Sequence, residues 1–125
     1  MKIADFHSDE KVLVIAEIGN NHEGDFALAE RMISEAAKAG ADAVKFQTIV
    51  PDRLFSALQS EQIAKYERFR FSYARFEALA RRAEMEGVLF LSTPFDLESV
   101  RFLDDLAPAF KISSGDNTFY PLLRA

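Results

Sequence analysis

The sequence contains no cysteine among its 125 residues. It can therefore form no disulfide, no thiolate nucleophile and no cysteine-based zinc site. Basic charge is not in excess either, because 15 Lys and Arg stand against 20 Asp and Glu, a formal net charge of −5. Proteins that bind nucleic acid usually show a basic stripe on one face, so we expect no nucleic-acid partner.

Long apolar runs are also lacking. The longest, such as VLVIA at residues 12–16, fall far short of the ~20 residues of a membrane-spanning helix. The first residues, MKIADFHSDEK, carry acidic side chains and no apolar stretch, unlike a secretory signal. A composition of 49% hydrophobic and 28% charged residues is that of an ordinary globular chain. We expect a single cytoplasmic domain with no membrane partner.

Four short apolar segments predict β-strands. They are bounded by Gly, Pro, Asn and Ser, and they lie near residues 12–18, 43–49, 88–92 and 109–113. Because they are apolar almost throughout, we expect both faces of the sheet to be buried, as in a parallel sheet covered by helices.

Helical spacing and capping residues predict the segments between the strands. Asp25 and Ser72 are candidate N-caps, and helices are expected over residues 25–39, 72–86 and 96–107, with a short helix at 60–69 and another beginning within 119–124. The alternation of strand and helix indicates an α/β fold with parallel strands. Right-handed crossovers leave two architectures, an open doubly wound sheet or part of a (βα)8 barrel.

Chemically active side chains follow each predicted strand. The carboxyl ends of parallel strands form the active-site face of such sheets. The candidates at these ends are Glu17, Lys45, Gln47, Thr93, Lys111, Ser114 and Asp116. No nucleotide fingerprint accompanies them, because GNNHEG has only Gly19 and Gly24 and lacks a following Lys-Ser/Thr.

Lys45 and Lys111 lie within apolar segments, in the contexts VKF and FKI. A buried ammonium is costly unless an anion compensates it. Two lysines at equivalent strand positions favour a site for a phosphate or carboxylate ligand. Two alternatives stay open: ion pairs with Glu17 and Asp116, and a Schiff-base lysine.

Two further residues have open roles at this stage. Glu17 follows an apolar run, so it is either a general acid or base with a raised pKa or a counter-ion to a lysine. His22 lies in a polar loop, where bonding to backbone groups is favoured over binding a ligand.

Four motifs follow one another along the chain: AEIGNNHEGD at 16–25, AGADAVKFQT at 39–48, LFLSTPFD at 89–96 and KISSGDNTFYPLL at 111–123. In these motifs and their order the sequence resembles the N-acetylneuraminic (sialic) acid synthase family, which includes legionaminic and pseudaminic acid synthases. The resemblance implies the N-terminal portion of a (βα)8 barrel, about four βα units. It also implies condensation of phosphoenolpyruvate with N-acetylmannosamine, its 6-phosphate or a related N-acetylated sugar, with release of phosphate.

The resemblance also implies roles for the candidate residues. Lys45, Thr93, Lys111 and Ser114 match residues that hold phosphoenolpyruvate. Glu17 matches a residue near the attacking water, and Gln47 matches a position near the sugar. Where the family usually reads Ser-Gly-Glu, this chain has Asp116, which is one methylene shorter. A displacement of about 1 Å can cost on the order of 100-fold in rate.

The resemblance also implies a divalent metal, Mg²⁺ or Mn²⁺, as a Lewis acid on the sugar aldehyde, with its ligands expected beyond this chain.

A barrel of this kind takes about 250 residues, so the leading hypothesis is an incomplete synthase carrying much of the phosphoenolpyruvate site. The alternative is a non-catalytic half-barrel that binds anions. A related 3-deoxy sugar acid synthase is a third reading. Exposed sheet edges predict self-association or pairing with a missing C-terminal half.

Overall fold

The chain begins with a short antiparallel hairpin and continues into a parallel sheet. The structure is a computed structural model that describes residues 2–7, 9 and 11–125. In the hairpin, β1 (Lys2–Ile3) pairs with β2 (Phe6–His7). The sheet contains β3 (Ile15–Gly19), β4 (Ala43–Thr48) and β5 (Leu89–Pro94), in the order β3-β4-β5 with all strands parallel. The first three predicted strands are therefore confirmed, with small shifts at their ends.

Helices connect the strands as the sequence predicts. Their bounds are α1 (Phe26–Lys38), α2 (Pro51–Leu54), α3 (Ser60–Phe69), α4 (Tyr73–Met85), α5 (Leu97–Asp104) and α6 (Tyr120–Leu123). The predicted caps are present: the Asp25 carboxylate accepts a hydrogen bond from Leu28 N at 3.0 Å, and the Ser72 hydroxyl accepts one from Arg75 N at 3.4 Å. Each cap satisfies a backbone N–H that the helix itself leaves unpaired.

The hydrophobic core lies between the sheet and the helices α1 and α4. Side chains alternate along a strand, so Val44 and Phe46 of β4 share the face that meets the helices. Both are fully buried, as are Ile33 of α1 and Leu79 of α4. The Phe46 ring stacks on that of Phe90 in β5 with centroids 5.7 Å apart. The opposite face of β4 therefore carries Lys45 and Gln47.

The predicted fourth strand at residues 109–113 is only partly formed. The segment forms a single parallel bridge, Ser92 to Phe110, and the Lys111 N–H donates to the Ser92 carbonyl at 3.2 Å. Proline lacks an N–H, so Pro108 cannot extend the ladder, and the segment pairs with β5 on one side only among the described residues. The third and fourth predicted strands thus differ: β5 is a full strand, and its neighbour is an extended segment.

Residues 51–70 make the expected excursion between β4 and α4. Two contacts hold it to the rest of the chain. An ideal Cβ on Gly24, whose φ is +86°, would lie 2.1 Å from the Arg68 carbonyl oxygen, so only glycine permits this approach to the end of α3. In the second contact, Arg53 Nη1 of α2 donates to Asp96 Oδ1 at 2.9 Å. The excursion is therefore fixed over the carboxyl ends of the strands.

Within the described residues, no helix combines the length and apolar character needed to cross a membrane.

Candidate active site

Glu17 and Lys45 are register partners on β3 and β4. Their side chains form an ion pair between Lys45 Nζ and Glu17 Oε2. The Lys45 side chain is 12% exposed, whereas that of Glu17 is 52% exposed. Lys45 is shielded because β4 is the middle strand of the sheet. An ammonium so far removed from water needs an anion beside it, and here Glu17 supplies that anion.

Gln47 lies two residues beyond Lys45 and so points to the same face of β4. Its Oε1 accepts a hydrogen bond from Asn20 Nδ2 at 2.7 Å. Gly19, with φ +56°, lies between these groups: an ideal Cβ there would be 3.3 Å from Glu17 Oε1 and 3.9 Å from Gln47 Nε2. Because glycine has no side chain, the space above Gly19 stays open to both Glu17 and Gln47.

A groove of about 430 Å³ opens above this pair of strands. Its floor is formed by Glu17, Gln47 and the loop after β3, and its wall by α3. The wall residues are Lys65, Tyr66 and Phe69. The groove thus combines a carboxylate, an amide and an ammonium around an aromatic surface, a set that can bind a polyhydroxylated ligand through both donors and acceptors.

Thr93 continues the site onto β5, where it is the register partner of Gln47 and is buried. The remaining three predicted residues lie on the segment after the single bridge. Lys111 is exposed, and its ammonium donates to the carbonyl of its neighbour Ile112. The prediction of two lysines in equivalent core strands is therefore wrong for Lys111, because an extended segment with one bridge does not enclose its side chain.

Ser114 and Asp116 lie in a turn after this segment. The turn is closed by the Asp116 N–H, which donates to the Ser113 carbonyl at 3.0 Å. Across the described residues, no hydrogen bond or ion pair joins Lys111, Ser114 or Asp116 to Glu17 or Lys45. The structure therefore brings Glu17, Lys45 and Gln47 together and leaves the other candidates along an adjacent edge.

His22 is buried rather than exposed to ligand. Its ring stacks on that of Phe71 at 4.2 Å, and its Nδ1 accepts a hydrogen bond from the Gly24 N–H at 3.1 Å. Burial lowers the pKa of His22 from its ordinary value of 6.5, which favours the neutral ring. The histidine therefore stabilises the loop that carries Asn20, in agreement with the prediction that His22 bonds to backbone groups.

Asp96 joins two helices that follow neighbouring strands of the sheet. Burial alone would raise the pKa of Asp96, but hydrogen bonds from Ser99 and Arg53 outweigh it and hold the pKa below its usual value. The carboxylate caps α5 by accepting from Ser99 N at 3.0 Å. The charged form of Asp96 thus ties α2, which follows β4, to the start of α5.

Comparison with known proteins places this geometry in a family. The family model described as "NeuB family" matches residues 32–125. The chain belongs to the NeuB family. An uncharacterized protein of Methanocaldococcus jannaschii is 44% identical over 115 residues, covering 91% of this chain and 34% of the relative. The pseudaminic acid synthase of Campylobacter jejuni is 36% identical over 140 residues, covering 98% of this chain and 41% of that enzyme.

A solved structure agrees with the fold. The N-acetylneuraminic acid (sialic acid) synthetase of Leptospira borgpetersenii, in complex with citrate, superposes with a TM-score of 0.86 at 37% identity, covering 90% of this chain and 39% of that one. The prediction of a partial (βα)8 barrel is confirmed, and so is the predicted family. This NeuB chain spans about a third to two fifths of the relatives it matches.

Sequence reasoning missed the residues that shape the groove. Asn20 lies in the GNNHEGD loop, and its neighbour Gly19 was a visible signal of an unusual backbone. Lys65 and Tyr66 gave no signal, because only the tertiary placement of α3 brings them to the strand ends. Among the described residues, no group of three or more His, Asp or Glu side chains could hold a metal ion.

Proposed function

We propose that this NeuB-family chain supplies the phosphoenolpyruvate site and one wall of the sugar pocket of a sialic acid synthase-type enzyme. The reaction condenses phosphoenolpyruvate with N-acetylmannosamine, its 6-phosphate or a related N-acetylated sugar, and it releases phosphate. The observation that carries the proposal is the Lys45 side chain, which lies on the middle strand of the sheet and is only 12% exposed. Family membership and the names of the relatives support the same reaction class.

Lys45 is suited to bind one charged end of phosphoenolpyruvate. Coulomb attraction strengthens as water is excluded, so a shielded ammonium is a stronger anion site than an exposed one. Lys111 lies on the segment beside β5, two strand spacings from Lys45, or about 10 Å. Two lysines at that separation can reach the phosphate and the carboxylate of one molecule, with Thr93 and Ser114 as candidate hydroxyl donors.

Glu17 is the candidate for moving a proton or orienting the attacking water. In the structure its charge is used to compensate Lys45. An anionic substrate on Lys45 takes over that compensation, and the Glu17 carboxylate, already half exposed, is then free to accept a hydrogen bond from water. Gln47 and Asp116 face the sugar in this proposal, with the shorter Asp116 adapted to a different sugar or lowering the rate.

The metal implied by the family does not fit the described residues, since they offer no set of three ligands. No step above depends on a metal ion. The relatives extend well beyond the length that these residues match.

One observation favours a second candidate function, an anion-binding half-barrel that assembles with another copy. On the outer side of β3, no strand pairs with it among the described residues, and Val14 and Ile15 are 53% and 41% exposed. An apolar strand edge of this kind favours pairing with another chain.

Calorimetric titration of phosphoenolpyruvate into the 125-residue chain tests the anion site. We expect Lys45→Ala to weaken binding by about tenfold or more, because a hydrogen bond to a charged group contributes about 1.5–3 kcal/mol. Lys38→Ala is the matched control: this lysine also pairs with a glutamate, Glu35, but it is 68% exposed on α1.

Measurement of released phosphate distinguishes the synthase from the anion-binding half-barrel. Phosphate release from phosphoenolpyruvate after addition of N-acetylmannosamine, Mn²⁺ and the C-terminal half of a NeuB-family relative supports the synthase. Binding without release, together with a dimer mass in sedimentation, supports the half-barrel instead. Equal affinity of the folded wild type and Lys45→Ala for phosphoenolpyruvate would contradict both.

A further inference from the structure

We propose that Asn20 is a positioning residue that fixes which end of the Gln47 side-chain amide faces the groove. The inference rests on the proposed function only in giving Gln47 a ligand to bind. Asn20 itself does not need to touch that ligand.

The starting point is the asymmetry of a primary amide. Its oxygen only accepts hydrogen bonds and its nitrogen only donates them. Asn20 Nδ2 donates to Gln47 Oε1 at 2.7 Å, so the Gln47 oxygen is directed at the loop. Gln47 Nε2 makes no hydrogen bond within the part of the chain that the structure describes. Its N–H groups are therefore available to a ligand.

The Nε2 end lies beside the reacting groups. A point above Gly19 is 3.9 Å from Gln47 Nε2 and 3.3 Å from Glu17 Oε1. The groove thus presents a pair of N–H donors next to a carboxylate acceptor. A hydroxyl group, which both donates and accepts, matches this pair. Reversal of the amide would place two acceptors side by side and would disfavour the same ligand.

Asn20 is held independently of Gln47. The turn after β3 is closed by Asn21 N and Glu23 N, which donate to the Ile18 and Asn20 carbonyls, both at 3.0 Å. The Asn21 side chain adds a bond to the Ile18 carbonyl at 2.9 Å. The turn is held by its own backbone bonds, so the main chain of Asn20 is positioned independently of Gln47, and its side-chain amide reaches Gln47 from that anchored position.

Glu17 is the alternative cause of this orientation, because its carboxylate also attracts the N–H groups of Gln47 Nε2. The substitution Asn20→Asp separates the two causes. It keeps the size of the side chain but removes its donor, so a side chain that only fills space would tolerate it without effect. If Asn20 sets the orientation, Gln47 must turn and donate to the new carboxylate.

The test is the side-chain amide NMR spectrum of the 125-residue chain labelled with ¹⁵N-glutamine. The sequence contains three glutamines, Gln47, Gln59 and Gln62, and the exposed Gln62 is the internal reference. In Asn20→Asp we expect one Nε2 proton of Gln47 to move downfield as it becomes hydrogen-bonded. In Asn20→Ala both protons should approach the positions of Gln62. Asn117→Asp, which adds the same charge outside the groove, should leave Gln47 unchanged.

A reciprocal pair of variants, labelled with ¹⁵N-asparagine, covers the case in which Asn20→Asp does not fold. Gln47→Glu keeps an acceptor for Asn20, and Gln47→Met removes it, so the Asn20 amide protons should keep their positions in the first and lose them in the second. Unchanged Gln47 signals in Asn20→Asp, or equal shifts of Asn20 in the two Gln47 variants, would overturn the proposal. If Gln47 responds but phosphoenolpyruvate does not bind, only the proposed function fails.

Discussion

Lys45 and Lys111 occupy nearly the same local sequence and very different environments. Each is flanked by apolar residues and followed by polar ones. Lys45 lies on the middle strand with a carboxylate partner, whereas Lys111 is exposed and bonds to the carbonyl of the next residue. The difference arises from neighbours: β4 has a strand on each side, and the segment at Lys111 has a single bridge to β5. A lysine is buried by strands that are distant in sequence, not by its own flanking residues.

The two phenylalanines beside these lysines give the largest expected contrast. Phe46 is fully buried between Phe90 and the helices, and Phe110 is only partly buried against the same core. We expect Phe46→Ala to lower the free energy of unfolding by about 4 kcal/mol, the usual cost of a large core cavity. Phe110→Ala should cost about 1–2 kcal/mol, because less of its ring leaves water on folding. Urea unfolding followed by circular dichroism measures both. Equal losses would show that the segment is as well packed as β4.

The carboxylates near the two lysines give an intermediate contrast. Glu17→Gln leaves the shielded Lys45 ammonium without its anion, and we expect a loss of about 1–2 kcal/mol, below the value for a fully buried pair because Glu17 is half exposed. Asp116 forms no ion pair among the described residues, so Asp116→Asn should change stability by less than about 0.5 kcal/mol. The same urea titrations compare them, with unchanged slopes as the check on two-state unfolding.

A loss in Asp116→Asn as large as that in Glu17→Gln would contradict this view. It would mean that Lys111 has an anionic partner in solution, which would move the segment at residues 109–113 closer to the strand that the sequence predicts.

Local patterns predicted much of this fold and only part of its site. Asp25 and Ser72 could be identified as helix caps because a cap is a contact between residues three apart. Glu17, Lys45 and Gln47 could be identified because parallel strands bring their carboxyl ends to one edge. The contact between Asn20 and Gln47 spans 27 positions and depends on a loop conformation. The spacing of these two residues in the sequence does not predict their contact. The residues around Lys111 likewise do not predict its exposure.

The smallest expected effect on stability concerns His22, which lies in the well-packed region around Lys45 rather than in the segment at Lys111. Burial lowers its pKa from 6.5 in the folded state, so the unfolded chain takes up a proton first as the pH falls. Stability is therefore fully present above pH 6.5 and declines below it until the pH reaches the lowered pKa of the folded state. The slope cannot exceed about 1.4 kcal/mol per pH unit for one proton. His22→Gln should flatten the stability profile between neutral and mildly acid pH, measured by urea unfolding.

His7→Gln, at an exposed position of β2, is the matched control and should leave that decline in place. Equal profiles for wild type and His22→Gln would show that the ring is free to take up a proton in the folded state. The loop that carries Asn20 would then be no better enclosed than the segment at Lys111.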